Sequence, residues 1–306
     1  MSTKRKHLDA QTAREWSDIG HLAFIESITS LAILSPKQFA FHGGTSLHLS
    51  WNSPRFSEDL DFLLDRSFSG RMGKLRSRIE SRMKSILMTS APGVTVRIED
   101  KTRDGSNLIN WRVKLTSPDI IGQAMVKAEF WQVDEDYLAG YKTAFAYPMK
   151  PGDVYSKVSQ PLPAATLEAA YADKLTAFAT RPHLKWRDLF DLWWLGRNID
   201  VDVPSMSDRF LHHITAYSTQ NGMSPTEALR DFLSRDVAEI AAAADPDLKN
   251  WLKPSLWAQL QGQGIRDIVD DVRARITAIA DHIEAHTPPA QEQRDDREAE
   301  ETRPDY

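Results

Sequence analysis

The chain has 306 residues, a formal net charge of −5 and a sequence pI near 6.0, with 41% hydrophobic and 26% charged residues. This is the makeup of an ordinary globular protein of one large or two ordinary domains, and it excludes a protein that coats nucleic acid by bulk charge. The lack of cysteine excludes disulfides, thiolate nucleophiles and zinc–cysteine sites. No apolar run is long enough for a membrane span, and the basic stretch Met1–His7 lacks the apolar core of a secretory signal, so a cytoplasmic protein with no membrane partner is expected.

In chain order, Trp16, Ile19, Leu22, Ala23, Phe24, Ile28 and Leu31 recur at three and four residues and predict an amphipathic helix over 11–34, ended by Ser35-Pro36. Phe39-Ala40-Phe41 reads as a buried strand that feeds the Gly43-Gly44 turn. A short helix follows, with Thr45 or Ser46 near its N-terminus. Residues 60–64 form a second apolar strand. The stretch from Arg71 to Thr89 is a basic helix, with Arg71, Lys74, Arg76, Arg78, Arg82 and Lys84 offset by Glu80. Its charge suits either a solvated face or a wall for an RNA acceptor. Residues 94–98 and 109–115 alternate as strands around the turn pair Asp104-Gly105, and 125–133 is a further strand.

From about Ala164 the pattern turns helical, with helices expected over 167–180, 187–196, 206–217, 225–244, 248–260 and 267–286. The expected organisation is α+β: a mixed sheet with flanking helices over 1–163, a helical domain over 164–286, and an acidic tail over 287–306. The tail has seven acids, three arginines and almost no apolar residue, so it cannot bury a core and is expected to be disordered.

The chemistry concentrates in His42-Gly43-Gly44-Thr45-Ser46 and Arg55-Phe56-Ser57-Glu58-Asp59-Leu60-Asp61. On a strand, Asp59 and Asp61 point to one face, and two adjacent carboxylates stay ionised cheaply only beside a cation. Mg²⁺ suits such a pair when phosphate oxygens complete its shell. Gly43 and Gly44 let the backbone approach a phosphate, and the helix behind them offers free N–H groups. A metal plus a phosphate cradle is the minimal apparatus for phosphoryl or nucleotidyl transfer. Taken singly, an Asp-x-Asp is as readily a solvated turn and a Gly-Gly a loop. Trp186, Trp193 and Trp194 read as packing residues. His42 reads as a strand-end hydrogen-bonding residue, and His212-His213 has no metal-ligand spacing.

These two stretches, with Ala172-Asp173-Lys174-Leu175 and Arg187-Asp188-Leu189-Phe190-Asp191-Leu192 downstream, resemble the AbiEii-type nucleotidyltransferases. These are toxins of abortive-infection and type IV toxin–antitoxin systems within the DNA polymerase β-like superfamily. The resemblance covers about Phe39 to Leu195 and implies a nucleotidyltransferase core followed by a helical domain. It implies that Gly43 and Gly44, with Thr45 or Ser46, hold the triphosphate, and that Asp59 and Asp61 bind Mg²⁺. Glu129 becomes the third acid or general base, with Lys127 on the same strand face, unless the two only form a surface ion pair. Lys174 would contact phosphates, and Asp188 and Asp191 would belong to the last motif. Arg187 is either a further phosphate ligand or the partner of Asp191 one helical turn on. The Gly-Ser pair of the wider superfamily stands closer to its metal aspartates than Ser46 does to Asp59, which leaves the choice between Thr45 and Ser46 open.

By the same resemblance the chain is expected to move NMP from an NTP to an acceptor, the 3′ end of tRNA being the first choice. A separately encoded antitoxin, not necessarily in a stable complex, would oppose it. Two other readings are a kinase-like phosphotransferase acting on a protein or other acceptor, and an inactive nucleotide-binding scaffold.

Overall fold

The computed structural model describes residues 5–181, 183–217 and 222–287. Strand β1 (Lys6–His7) precedes α1 (Ala10–Leu31), whose first turn is capped by the Asp9 carboxylate accepting from the Thr12 N–H. Then come β2 (Phe39–His42), α2 (Gly43–Trp51), β3 (Asp59–Asp65), α3 (Met72–Ser90), β4 (Thr95–Asp100), β5 (Leu108–Ser117) and β6 (Ile120–Val133). A short α4 (Glu135–Gly140), β7 (Thr143–Ala146) and β8 (Leu162–Ala165) complete the sheet. The helical half is α5 (Leu167–Thr180), α6 (Trp186–Gly196), α7 (Val203–Ile214), α8 (Pro225–Ser234), α9 (Val237–Ala242), α10 (Ala244–Leu248), α11 (Pro254–Leu260) and α12 (Gln263–His286).

The strand order is β4-β5-β6-β3-β2-β8-β7, with β1 paired to β6. β3 runs parallel to β6 and β2 parallel to β8, whereas β2–β3, β4–β5, β5–β6 and β7–β8 are antiparallel. This is the mixed sheet with flanking helices that the sequence predicts. Strand alternation divides its side chains between two cores. Phe39, Phe41, Leu60, Phe62, Leu64, Val126, Ala128 and Phe130 pack with α1 and α3 on one face. On the other face Ala40, Leu63 and Val133 join α5, α6, α7 and α12. Cover on both faces explains why β2 and β3 read as continuous apolar runs rather than alternating ones.

Several elements differ from expectation. The helix expected over 225–244 is two helices, α8 and α9, because the Asp236 carboxylate accepts from the Glu239 N–H and caps a new start, and α10 begins at its last residue. The helix expected over 248–260 begins only at Pro254, since the residue before proline is pushed out of helical geometry. Leu162–Ala165, beside the junction expected at residue 163, form a fully buried strand between β2 and β7. The short elements β1, α4, β7 and β8 have no clear periodicity in the sequence. Apart from Thr287, the acidic tail lies outside the described residues.

Candidate active site

The second face of the sheet carries the acids. β3 pairs with β6 so that Asp59 faces Lys127 and Asp61 faces Glu129, and Asn110 on β5 faces Glu129 from the other side. Asp59, Asp61, Lys127 and Glu129 thus share one face, turned toward the helical half. Lys127 Nζ is 3.5 Å from Asp59 Oδ2, and Asn110 Nδ2 donates to Glu129 Oε1 at 2.8 Å. Burial pushes the Asp61 carboxyl up to about 6, a shift opposed by His42 and reinforced by the charges of Asp59 and Glu129. Glu129 is also raised, by burial first and by Asp59 second. On this strand face three carboxylates, those of Asp59, Asp61 and Glu129, stand with one ammonium, that of Lys127.

The glycine turn lies against these acids. β2 ends at His42, in register with Asp61, and α2 starts at once at Gly43. Gly43 has φ +75°, and a Cβ there would overlap the Asp61 carboxylate, so only glycine lets strand and helix meet in this way. A Cβ at Gly44 would strike Arg55 and Ser57. The His42 side chain does not cap the start of α2, which leaves its first N–H groups at the turn. Thr45 and Ser46 are buried, and their hydroxyls donate to the backbone carbonyls of Asp59 and Phe41. In this arrangement the turn offers a ligand backbone N–H groups, while the two hydroxyls tie α2 to the sheet.

Across from the turn, Lys174 on α5 is held by Asp188 Oδ1 and Asp191 Oδ2, each at 2.8 Å. Arg55 grips both oxygens of Asp191, and Arg181 pairs with the second oxygen of Asp188. Burial alone would lower the Lys174 ammonium, but the two carboxylates outweigh it and hold the pKa above its usual value. The same cations hold Asp188 and Asp191 below the usual carboxylate range against their burial. Arg187 takes neither expected role: Asp191 is already engaged, and the Arg187 guanidinium lies 4.2 Å over the Trp251 ring, outside the cleft lining.

A cleft of 340 Å³ separates the two groups. Its lining includes His42, Gly43, Gly44, Asp61, Glu129, Lys174 and Arg181, together with Leu108, Trp131 and Tyr217. Asp59 stands beside it on the strand, with its side chain 37% exposed. Asp173, next to Lys174, also lines the cleft. It accepts from Tyr141 OH at 2.6 Å, with His213 Nδ1 at 2.9 Å and His42 Nδ1 at 3.3 Å. These partners hold Asp173 well below the usual range despite burial, and Asp173 in turn keeps the His42 imidazole raised. The sequence reading assigned no role to Arg55 or Asp173. Each lies within a stretch that carries the resemblance, but its partners lie far along the chain. Trp186 is buried, as packing requires, with its indole N–H donated to the Ile240 carbonyl.

Among the described residues no three His, Cys, Asp or Glu side chains converge closely enough to hold a metal alone. The donor set nevertheless fits Mg²⁺. Two aspartates on one strand face, beside a glycine turn that opens a helix, match an ion that takes one or two carboxylates and completes its shell from phosphate and water. Among the described residues no helix is long and apolar enough to cross a membrane.

No curated protein sequence matches the chain. The fold is similar to that of MenT4, a nucleotidyltransferase toxin from Mycobacterium tuberculosis, at 17% identity and a TM-score of 0.56, covering 94% of this chain and 88% of that one. It is also similar to JHP933 from Helicobacter pylori, at 19% identity and a TM-score of 0.50, covering 91% and 95%. A family model described as the nucleotidyl transferase AbiEii toxin of type IV toxin–antitoxin systems matches residues 31–296. The chain thus belongs to the AbiEii nucleotidyltransferase toxin family, enzymes that use an NTP and whose toxicity an antitoxin opposes.

Proposed function

We propose that this toxin transfers NMP from an NTP, with Mg²⁺, to the 3′ end of tRNA and so blocks translation. The observation that carries the chemistry is the cleft itself: Asp61 and Glu129 on one wall, the Gly43-Gly44 turn at their side, and Lys174 with Arg181 in the other wall. Asp59 and Asp61 would hold Mg²⁺, which when bound neutralises phosphate oxygens and acidifies an acceptor hydroxyl. The N–H groups at the start of α2 bind the triphosphate, assisted by the helix dipole. Lys174 spends two of its three N–H donors on Asp188 and Asp191 and turns the third to the phosphates. Glu129, raised by burial, accepts the proton of the acceptor hydroxyl. The acceptor oxygen attacks the α-phosphorus, the bond to the β-phosphate breaks, and pyrophosphate leaves beside Lys174 and Arg181.

The tRNA acceptor rests on a second feature. Lys74, Arg78 and Arg82 recur every fourth residue on the exposed side of α3 and have no ion pair among the described residues. α3 packs on the sheet face opposite the acids, so an acceptor that touches both must be large enough to wrap the sheet.

The test is to incubate the protein with Mg²⁺, total RNA and each of the four α-labelled NTPs, with Asp61→Ala in parallel. Label in a tRNA-sized band with wild type only supports the reading. Absence of labelled RNA while protein becomes labelled overturns the tRNA acceptor, and transfer from γ-labelled NTP instead makes the protein a kinase.

A further inference from the structure

The cleft lining also holds apolar side chains that the phosphate chemistry does not use. Trp131 follows Glu129 by two residues on β6, so both side chains stand on the same sheet face, about 6.6 Å apart along the strand. Leu108 on β5 is its cross-strand partner. Tyr217, just beyond α7, lies against the Trp131 ring with centroids 5.2 Å apart and planes 21° from parallel. The indole N–H of Trp131 donates to the Ala216 carbonyl at 3.3 Å, which ties the ring to the same segment that carries Tyr217. Leu108, Trp131 and Tyr217 all line the cleft together with Gly43, Asp61 and Lys174. Trp111 and Phe130, by contrast, are fully buried in the core on the other face. Trp131 and Tyr217 remain partly open.

We propose that the stacked pair Trp131 and Tyr217 is the platform on which the nucleobase of the NTP lies, with the base continuing the stack beyond the acids. The inference rests on the reading that the cleft binds an NTP. Part of the cleft lining is carboxylates, backbone donors and cations, which suits a metal-bound triphosphate. The lining also includes two stacked aromatic rings and the leucine paired with one of them, which suit a flat apolar face. A pair already stacked and hydrogen-bonded to its neighbour loses little freedom when a third ring joins it. Stacking accepts any base, so the platform supplies affinity for a nucleotide over bare phosphate rather than a strict choice among the four.

The experiment compares binding of an NTP and of inorganic tripolyphosphate, both with Mg²⁺, by calorimetry. The proteins are wild type, Trp131→Ala, Trp131→Phe and Tyr217→Leu, with thermal melts to verify folding. Trp131→Ala and Tyr217→Leu are expected to weaken NTP binding about tenfold and to leave tripolyphosphate binding nearly unchanged, while Trp131→Phe keeps most of the affinity. If Trp131→Ala does not fold, Tyr217→Leu and Trp131→Phe decide by the same readout. NTP binding unchanged in the variants, or NTP and tripolyphosphate weakened in parallel, overturns the platform. A wild type that binds both ligands equally also overturns it while sparing the phosphate site. A wild type that binds neither overturns the nucleotide reading of the cleft, and the platform with it.

Discussion

Arg55 and Asp191, 136 residues apart in sequence, meet in two parallel hydrogen bonds of 2.7 and 2.6 Å, with both groups almost wholly buried. The pair locks the segment before β3 to α6, and through Asp191 it fixes Lys174 at the cleft wall. Removing one partner of a buried pair leaves the other charge unpaired in a medium that solvates it poorly. Arg55→Met is expected to destabilise the protein by about 3–5 kcal/mol, read by denaturant unfolding, and Arg55→Met with Asp191→Met to recover most of that loss. A single variant as stable as wild type would show that the pair does not hold the two halves together.

Asp61 carries the strongest expectation for activity. Asp61→Asn keeps the size of the side chain and removes its charge, so the fold is expected to persist while pyrophosphate release falls at least about a hundredfold. Wild-type turnover in this variant would mean that the acids on β3 are not the catalytic centre.

The same residue shapes stability against pH. Its carboxyl is about 6 in the folded protein against an ordinary value of 3.8, so the native state binds that proton more tightly than the unfolded chain does. Stability without divalent cations is therefore expected to fall as pH rises from about 4 to about 6, with the full cost of roughly 1–3 kcal/mol present above that window and none below it. Asp173 and Asp188, held low, act in the opposite sense: their contribution is present above the ordinary carboxylate range and is lost as pH falls beneath it. Thermal melts of wild type and Asp61→Asn across this range give the comparison. Parallel slopes would show that Asp61 is not the group responsible.

Gly43 and Gly105 form a matched pair of tests. Both have positive φ, +75° and +72°, but a Cβ at Gly43 meets the Asp61 carboxylate, whereas among the described residues nothing lies within 4 Å of one at Gly105. Alanine at either position should cost about 1–3 kcal/mol of backbone strain, seen in melting. Only Gly43→Ala should also abolish NTP transfer. Equal activity in the two variants would detach the turn from the site.

The basic stripe of α3 bears on the acceptor. Arg78→Glu with Arg82→Glu is expected to cut labelling of RNA about tenfold or more near physiological salt and to leave NTP binding unchanged. Undiminished RNA labelling would assign the stripe to solvation alone.

Local pattern was enough for much of this protein. The spacing of Trp16, Phe24 and Ile28 specifies α1, and the apolar runs of β2 and β3 specify strands covered on both sides. Gly43-Gly44 and the period-two pair Asp59 and Asp61 were legible as chemistry because a turn and a strand face need only neighbouring residues. The joining of Asp61 to Glu129 was reached only through the family resemblance, because it depends on β3 pairing in parallel with a strand 68 residues later. Neither Arg55, whose partner lies on α6, nor Asp173, which collects His42, Tyr141 and His213 from three other elements, was legible. Arg187, which by helical spacing reaches Asp191, lies instead over Trp251, since Arg55 and Lys174 already occupy that carboxylate. Hydrophobic periodicity reports which side of an element is buried. Which charges then face one another across the buried layer is set by strand order and helix docking, and those are decided only when the whole chain packs.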